Sequence, residues 1–518
     1  AEWKELFHID EEQADLFSNG KSKKDRRIAF LKAQPTLVLD TKHLSADFVD
    51  RLLGALGDLD RLTDGLLVHA DNYHGLRLLT ETYREQVKCI YIDPPYNTDA
   101  SPILYKNGYK SSSWASLMEN RLQAAWPLLV LDGVLVAAID DEQQRELSFI
   151  LSRVSQDRLL GTVCVRANPS GRPTQTGYSV SHEYLIFAGR GPKSSIRRLP
   201  PTKEQMARFS EQDDQGQFEW RNLRREGSNS DRDARRGLYY PIYIKGDAIR
   251  VPKMEWDDAK DEWKVLEKPR AGEQVAWPDN EDGVQKTWRW EWSTVVASMD
   301  SLSVRPDRSG RPYIYYKRRP HEEGVVSVSC WFDAKYSATE HGTAVIKSLF
   351  GSSTFSYPKS IHAVVDSIYV AGASNDGAVV LDFFAGSGTS MHAAMNLNRL
   401  DGGHRKFIGI EVEKYFDTIL LPRIKKVAFT PDWKDGKPQR VATAEEARRG
   451  PRIIKYVRLE SYEDTLNNIS FDDASGQGAL KFDDYLLKYM LKWETRQSET
   501  LLNVEKLARP FAYKLTVM

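Results

Sequence analysis

A short apolar run, residues 87–92, ends at the tetrapeptide Asp93-Pro94-Pro95-Tyr96. A run of this length and composition predicts a strand that is buried on both faces, as strands of parallel α/β sheets are. Two consecutive prolines end the strand, because each fixes φ and lacks a backbone donor. We therefore expect the tetrapeptide at the carboxyl edge of an open α/β sheet, where such folds place their chemistry.

The tetrapeptide carries the groups that would bind an amino group on a flat base. The Asp93 carboxylate and the Pro94 carbonyl are two acceptors held at a set angle by the prolines. Each can accept one hydrogen of an exocyclic amine, which localises the nitrogen lone pair, while Tyr96 stacks on the base. A plain proline-rich turn between a strand and a loop is the alternative interpretation.

A second constellation predicts a nucleoside pocket. An apolar strand, residues 379–381, runs into a Gly-x-Gly turn and a helical pattern, so backbone N–H groups at the turn can approach a ligand closely. A further strand, residues 406–410, ends about 20 residues past the glycines in an acidic residue, the spacing of a ribose-hydroxyl acceptor. The third glycine of the dinucleotide fingerprint and the Lys-Ser/Thr of a P-loop are missing, which argues against a dinucleotide and a triphosphate. The candidate cofactor-binding residues here are Asp382, Phe383, Phe384, Ala385, Gly386, Ser387, Gly388, Thr389 and Glu411.

The order of these two motifs resembles the β class of amino-group DNA methyltransferases, which are permuted S-adenosylmethionine-dependent methylases. Within that class, residues 331–360 and the sequence Asp-Phe-Phe at 382–384 are similar to modification subunits of type III restriction systems. The resemblance covers roughly residues 65 to 190 and 330 to 420. It implies an α/β fold: a permuted Rossmann-like methyltransferase domain, with a mixed seven-stranded sheet and flanking helices, an inserted α+β target-recognition domain and a helical tail.

The resemblance also implies a reaction and a set of site residues. The expected reaction transfers a methyl group from S-adenosylmethionine to an amino nitrogen of a base that is flipped out of double-stranded DNA. Aspartate at the first tetrapeptide position is associated with adenine-N6 methylation in this family, whereas serine is usual for cytosine-N4, so Asp93 favours adenine. The cofactor pocket is expected to include Asp71, Pro358 and Lys359, with Asp71 at the adenine moiety. A simple strand-end turn is the alternative for Asp71.

The chain divides by composition and motif into five segments. They are a helical N-terminal region, 1–64; the catalytic half, 65–194; a DNA-binding target-recognition insertion, 195–330; the cofactor-binding half, 331–425; and a C-terminal region for packing or dimerisation, 426–518. In the last segment, apolar residues at spacings of three and four between 480 and 491 predict a helix with one buried stripe.

Arginines interleaved with aromatic residues predict DNA contact within the insertion. Such arginines can pair with phosphates or read guanine edges in the major groove. A solvated charged loop is the alternative. The candidate residues are Arg221, Arg224, Arg225, Arg232, Arg235, Arg236, Tyr239 and Tyr240. Ser113, after the tetrapeptide, is a further candidate for holding the flipped nucleotide, with a helix N-cap as the other interpretation.

Composition bounds the remaining possibilities. The 518 residues carry 73 basic and 73 acidic side chains, so DNA affinity must come from local rather than overall charge. Three scattered cysteines form no predicted metal or disulfide set, and a reducing cytoplasm is expected. No metal is expected at residues 140–142, because consecutive acids usually cap a helix. No membrane-spanning stretch or signal peptide is recognised.

Several alternatives stay open from sequence. The chain could methylate cytosine-N4, RNA or a protein amide, or act as a catalytically silent DNA-recognition subunit. No nuclease constellation or helicase P-loop is recognised, so any restriction activity is expected in a partner nuclease/helicase subunit. A homodimer is a further possibility.

Overall fold

The computed structural model describes residues 2–9, 23–97, 111–171, 177–227, 229–306, 312–321, 324–373 and 377–460. They form two compact units. Residues up to Leu199 together with those from Val326 make the larger unit, and Pro200–Val325 make the smaller unit. The predicted insertion, 195–330, differs from the smaller unit by about five residues at each end.

The described strands of the two units follow in chain order. Before the smaller unit come β1 (Thr63–His69), β2 (Val87–Ile92), β3 (Leu129–Ile139), β4 (Leu159–Val165) and β5 (Glu183–Gly189). The smaller unit contains β6 (Glu211–Asp213), β7 (Gly216–Asn222), β8 (Ile242–Lys245), β9 (Ala248–Arg250), β10 (Met254–Asp257), β11 (Glu262–Val265), β12 (Gln274–Ala276), β13 (Leu302–Pro306) and β14 (Pro312–Arg318). After it come β15 (Cys330–Trp331), β16 (Val379–Asp382), β17 (Lys406–Glu411), β18 (Trp433–Lys434), β19 (Lys437–Pro438) and β20 (Ile453–Arg458).

The described α-helices lie mostly in the larger unit. They are α1 (Glu2–Phe7), α2 (Lys23–Ala33), α3 (Ala46–Ala55), α4 (Leu59–Leu62), α5 (Asn72–Tyr83), α6 (Ser111–Ala125), α7 (Gln144–Ser155), α8 (Lys203–Met206), α9 (Trp292–Ala297), α10 (Ala344–Phe350), α11 (Ile361–Val370), α12 (Thr389–Asp401), α13 (Leu421–Phe429) and α14 (Ala444–Arg449). Only α8 and α9 belong to the smaller unit. Among the described residues, no helix is long and apolar enough to cross a membrane.

One mixed sheet organises the larger unit, as predicted. Its nine strands follow the order β15-β4-β5-β3-β2-β16-β17-β1-β20, and β5 runs antiparallel to both of its neighbours. The other pairings are parallel. The predicted number of seven strands is wrong, because the edge strands β15 and β20 extend the sheet. Strand β15 has only two residues, too few for a periodic signal, and β20 pairs with β1 from a distant part of the chain.

Helices cover both faces of this sheet. On one face, Ile90 and Ile92 of β2 join a core that includes Leu79 of α5, Trp114 of α6 and Leu147 of α7. On the other face, Cys89 and Tyr91 of the same strand pack in a core with residues of α11 and α12. Strand β2 is therefore buried on both sides, which explains its apolar sequence.

The C-terminal region differs from the predicted helical tail. Its described part contains the β18–β19 hairpin, the short α14 and the sheet strand β20. The predicted boundary at 425 also falls inside α13, whose apolar residues Ile424, Val427 and Phe429 are buried in a third core beside the sheet. The predicted amphipathic helix at 480–491 lies outside the described residues.

The smaller unit is built mainly from antiparallel strands. It contains a four-stranded sheet β13-β14-β7-β6, a three-stranded sheet β12-β8-β9 and the β10–β11 pair. Tyr240, Ile242, Trp288 and Ile314 lie in its hydrophobic core. Each of these sheets is small, so their packing on a common core stabilises the unit.

Candidate active site

The sheet order brings the two sequence motifs together. Strands β2 and β16 are parallel neighbours, with Ile90 opposite Leu381, so both end at the same edge of the sheet. Asp93 follows β2, and the glycine loop, residues 383–388, follows β16. The Asp93 charge lies close enough to raise the pKa of Asp382. Motifs almost three hundred residues apart in sequence thus form one site.

The tetrapeptide is held from several elements. The indole N–H of Trp114, fully buried on α6, donates to the Pro95 carbonyl at 2.8 Å. The Tyr96 hydroxyl donates to Glu183 Oε2 at 3.1 Å. Glu183 is the first residue of β5, which runs antiparallel to β3 and therefore begins where its parallel neighbours end. Sequence reasoning missed Glu183 and Trp114, since neither belongs to a motif.

Lys359 contacts the tetrapeptide. From the sequence it was predicted to lie in the cofactor pocket. Its ammonium is 3.1 Å from Asp93 Oδ1 and 2.8 Å from Glu183 Oε2. It also contacts the Tyr96 hydroxyl and lies 4.3 Å from the centroid of that ring. Pro358 is buried, and its carbonyl faces Gly342, where an added Cβ would come within 2.3 Å. The described contacts of this pair are therefore with the tetrapeptide and with the protein interior.

Burial and charge act on this cluster in opposite directions. Burial raises the pKa of Asp93 above its ordinary value, Lys359 lowers it and Glu183 raises it. Burial lowers the pKa of Lys359, but the two carboxylates more than offset this, and the net shift is upward. Lys359 is therefore held as a cation between two carboxylates.

The glycine loop is anchored by carboxylates on two strands. Asp382 accepts hydrogen bonds from the Phe384 N–H at 2.9 Å and from the Ser390 hydroxyl. Burial raises its pKa to about 7, against the effect of these two donors. Glu411 Oε2 accepts from the Gly386 N–H at 2.8 Å. Asp382 thus shapes the loop from inside, with both oxygens used within the protein.

A buried arginine holds the glycine loop by hydrogen bonds. It was not predicted from the sequence. Arg423 on α13 donates to the Ser387 carbonyl at 3.1 Å, the Ser387 hydroxyl at 2.8 Å and the Thr389 hydroxyl at 3.0 Å. Burial lowers its pKa to about 9. The sequence showed Arg423 only as part of a basic segment, and only the tertiary structure turns it toward the loop.

The two glycines of the loop have left-handed backbone angles. Gly386 has a φ of +54° and Gly388 a φ of +83°, which favour glycine, and Gly388 is the N-cap of α12. An added Cβ at Gly386 would lie 3.6 Å from the Phe355 ring, whereas one at Gly388 would face Leu420 in the interior. Phe383, Phe384 and Ala385, the first three residues of the loop, are buried, whereas Gly386 is partly exposed. We therefore expect the cofactor on the side of the loop near Gly386 and Phe355.

Two acidic residues lie along the same sheet edge on β17 and after β1. The Glu411 carboxylate is buried and also accepts from the N–H groups of Val412 at 2.8 Å and Glu413 at 3.0 Å. Asp71 caps α5 by accepting from the Tyr73 N–H at 2.9 Å, and its side chain is 43% exposed. Their contacts with the ribose and the adenine of the cofactor stay predictions.

The predicted DNA-contacting arginines fall into three groups, and the first is buried. Arg224 is buried and donates to the Asp279 carbonyl at 2.9 Å, and Tyr240 is fully buried and donates to the Trp290 carbonyl at 2.8 Å. Neither side chain can contact DNA, because both are committed to the core of the smaller unit.

Three further predicted arginines are paired with carboxylates on the surface of the smaller unit. Arg221 lies 3.5 Å from Glu219, Arg232 lies 3.4 Å from Glu262, and Arg236 lies 3.1 Å from Asp261. Tyr239 donates to Asp279 at 3.1 Å beneath the Arg232 guanidinium.

Arg225 and Arg235 make up the third group, and they lie near Arg289. Arg289 was not among the residues predicted from the sequence. The pKa of Arg225 is lowered by burial and by the positive charges of Arg235 and Arg289. Within the part of the chain that the structure describes, no carboxylate forms an ion pair with any of the three. This arginine cluster (225, 235, 289) is the part of the predicted surface with uncompensated positive charge.

Two smaller predictions concern Ser113 and metals. Ser113 lies inside the first turn of α6, which begins at Ser111, so the N-cap interpretation is wrong; its side chain is exposed. In the described ranges, one group, Glu2, Asp40 and His43, has ligand atoms near enough for a metal. The ammonium groups of Lys425 and Lys42 each pair with both Glu2 and Asp40, so the two lysines balance the two carboxylates.

Comparison with known proteins gives the family of this chain. The 30% identical type II methyltransferase M.KpnI of Klebsiella pneumoniae aligns over 369 residues, 69% of this chain and 82% of the relative. The Mod subunit of the type III enzyme EcoPI of Escherichia phage P1 is 27% identical, over 68% of this chain and 58% of its own length. Among solved structures, the M1.HpyAVI–SAM complex shows 15% identity and a TM-score of 0.31, covering 69% of this chain and 99% of that one. The sequence model of the DNA methylase family, whose members act on N6 or N4 amino groups with S-adenosylmethionine, matches residues 87–421, and the chain belongs to this family.

Proposed function

We propose that the protein is a site-specific DNA methyltransferase that acts on the N6 amino group of adenine. The observation that carries this proposal is that Asp93 and Tyr96 follow β2, while the glycine loop follows β16, the adjacent parallel strand. Aspartate as the first residue of the tetrapeptide supports adenine over cytosine. S-adenosylmethionine supplies an electrophilic methyl group on its sulfonium sulfur.

The chain's own residues would bind and orient the acceptor amine. The Asp93 carboxylate and the Pro94 carbonyl accept the two amino hydrogens, and Tyr96 stacks on the base. The nitrogen lone pair forms the new bond to the methyl carbon, the carbon–sulfur bond breaks, and its electrons stay on sulfur. The extra proton then passes to water. Positioning supplies much of the acceleration, so Asp93 needs to be an acceptor rather than a strong base.

The base must leave the duplex to reach this buried edge. We propose the smaller unit as the target-recognition domain, with the arginine cluster (225, 235, 289) at the DNA backbone. Guanidinium groups without carboxylate partners are free to pair with phosphates, which gives salt-sensitive affinity. Because the type III relative is the Mod subunit of a restriction-modification enzyme, we propose that a partner subunit carries any cleavage.

Native DNA from cells with and without the protein tests the function. Sequencing with detection of modified bases is expected to show N6-methyladenine at one recurring sequence only when the wild-type protein is expressed. Cells expressing Asp93→Ala are the matched control and should show none. N4-methylcytosine at a recurring site would replace the adenine assignment, and unmodified DNA would contradict the proposal.

A further inference from the structure

The carboxylate that should bind the target amine belongs to a cluster of four residues. Lys359 bridges Asp93 and Glu183 at 3.1 Å and 2.8 Å, and Glu183 accepts from the Tyr96 hydroxyl at 3.1 Å. The side chains of Lys359 and Glu183 are only 11% and 12% exposed, whereas that of Asp93 is 28% exposed. Lys359 and Glu183 therefore lie deeper in the protein than Asp93, and Asp93 and Tyr96 are the residues that would contact the base.

Lys359 approaches Oδ1 of Asp93, and the Tyr96 hydroxyl also hydrogen-bonds to this carboxylate, so both groups orient the acceptor for an incoming amino hydrogen. The same ammonium lies over the Tyr96 ring at 4.3 Å, so one cation touches both residues that the base would contact. Glu183 holds Lys359 in this place from β5, an element that belongs to neither sequence motif.

We propose that Glu183 and Lys359 are positioning residues for the methyl-transfer site: Lys359, anchored on Glu183, keeps Asp93 as an oriented anionic acceptor and fixes the ring of Tyr96. This inference rests on the proposed function. It assigns to both residues an action through Asp93 and Tyr96, with no contact to the reacting atoms. A buried carboxylate next to a second carboxylate would otherwise tend to take up a proton, and a bridging cation opposes this.

The titratable groups that face Asp93 come from several elements. They are the neutral phenols of Tyr91 on β2 and Tyr96 in the tetrapeptide, together with the charged groups Glu183 of β5, Lys359 before α11 and Asp382 of β16. Of these, Lys359 is the cation and lowers the pKa of Asp93, whereas Glu183 raises it. Removing Lys359 should therefore raise the pKa of Asp93, and removing the charge of Glu183 should lower it.

The decisive experiment is the pH dependence of kcat/KM for DNA methylation by the full chain. Lys359→Met should lower kcat about tenfold or more and move the acidic limb of the profile upward by about one to three pH units. Glu183→Gln should move the same limb downward, because a negative neighbour of Asp93 is lost. Lys359→Arg should restore part of the lost rate, because it keeps the charge.

A neighbouring triad supplies the matched control. Lys335 lies 2.7 Å from Asp366 and 4.8 Å from the centroid of the Tyr336 ring, and Tyr336 donates to Asp366 at 2.8 Å. Lys335→Met removes the same kind of contact without touching Asp93, so its acidic limb should match that of the wild type. Calorimetric binding of S-adenosylmethionine shows whether each variant is folded, and we expect it within about threefold of wild type.

Unmoved acidic limbs in both variants, or limbs that move in the same direction, would refute the positioning role. An equal effect of Lys335→Met would also refute it, since a general loss of packing would then explain the result. A wild-type protein that transfers no methyl group to DNA would refute the proposed function itself. The two failures are therefore distinguishable.

Discussion

Replacing Asp93 with alanine should separate methyl transfer from cofactor binding. The substitution removes the acceptor for the target amine, and a positioned charge-stabilising group of this kind is typically worth about 3–4 kcal/mol. At about 1.4 kcal/mol per tenfold change, the rate should fall by roughly 10²- to 10³-fold. The loss of base orientation adds to this, so turnover at or below about 0.1% of wild type is the expected result.

The same substitution should spare the fold and the cofactor pocket. Lys359 keeps Glu183 as a partner at 2.8 Å, so Asp93→Ala leaves no buried ammonium without a carboxylate. The described hydrogen bonds that tie the glycine loop to the rest of the protein include those with Asp382, Ile410, Glu411 and Arg423, and none of the described ones involves Asp93. The affinity for S-adenosylmethionine should therefore stay within a few-fold of wild type.

Single-turnover transfer of a labelled methyl group to duplex DNA, with calorimetric cofactor binding on the same preparation, measures both effects. Asp93→Asn provides a graded comparison, because it keeps the side-chain size and one acceptor oxygen but loses the charge that pairs with Lys359. We expect its rate between those of Asp93→Ala and the wild type. Near-normal turnover of the alanine variant would refute the role of Asp93 as the amine acceptor.

The remaining predictions address stacking, the cofactor loop and DNA affinity. Tyr96→Ala should reduce activity strongly, since base stacking is worth about 1–3 kcal/mol. Tyr96→Phe should also lose some activity, because the hydroxyl contacts Glu183. Equal rates for Tyr96→Phe and the wild type would show that the hydroxyl has no role. Gly386→Val should weaken cofactor binding in calorimetry, since φ is +54° and the added atoms face the cofactor side of the loop; undiminished binding would place the cofactor elsewhere. Arg225→Ala and Arg235→Ala should each flatten the salt dependence of DNA affinity by about one unit, whereas the carboxylate-paired Arg232→Ala should change it less; an identical slope in all three would remove the cluster from the DNA interface.

The sequence by itself determined the chemistry of the sheet edge. An apolar run that ends in two prolines predicts a strand end, because prolines cannot continue a ladder, and β2 ends at Ile92 as expected. The glycines at 386 and 388 predict a turn, and in the structure both have a positive φ. These features are local, since each depends on a few adjacent residues, and local preferences can be read without knowing the fold.

Only the tertiary structure decided which distant residues complete the site. Glu183 reaches Tyr96 because β5 runs against its neighbours, Lys359 turns to Asp93 from the segment before α11, and Arg423 lies under the glycine loop. The same holds for the arginines of the smaller unit, since burial of Arg224 and the carboxylate partner of Arg236 depend on strands far along the chain. The sequence does not show which charges will lie near a given charged side chain. The fold decides this, because ion pairs form only between groups within a few ångströms of each other.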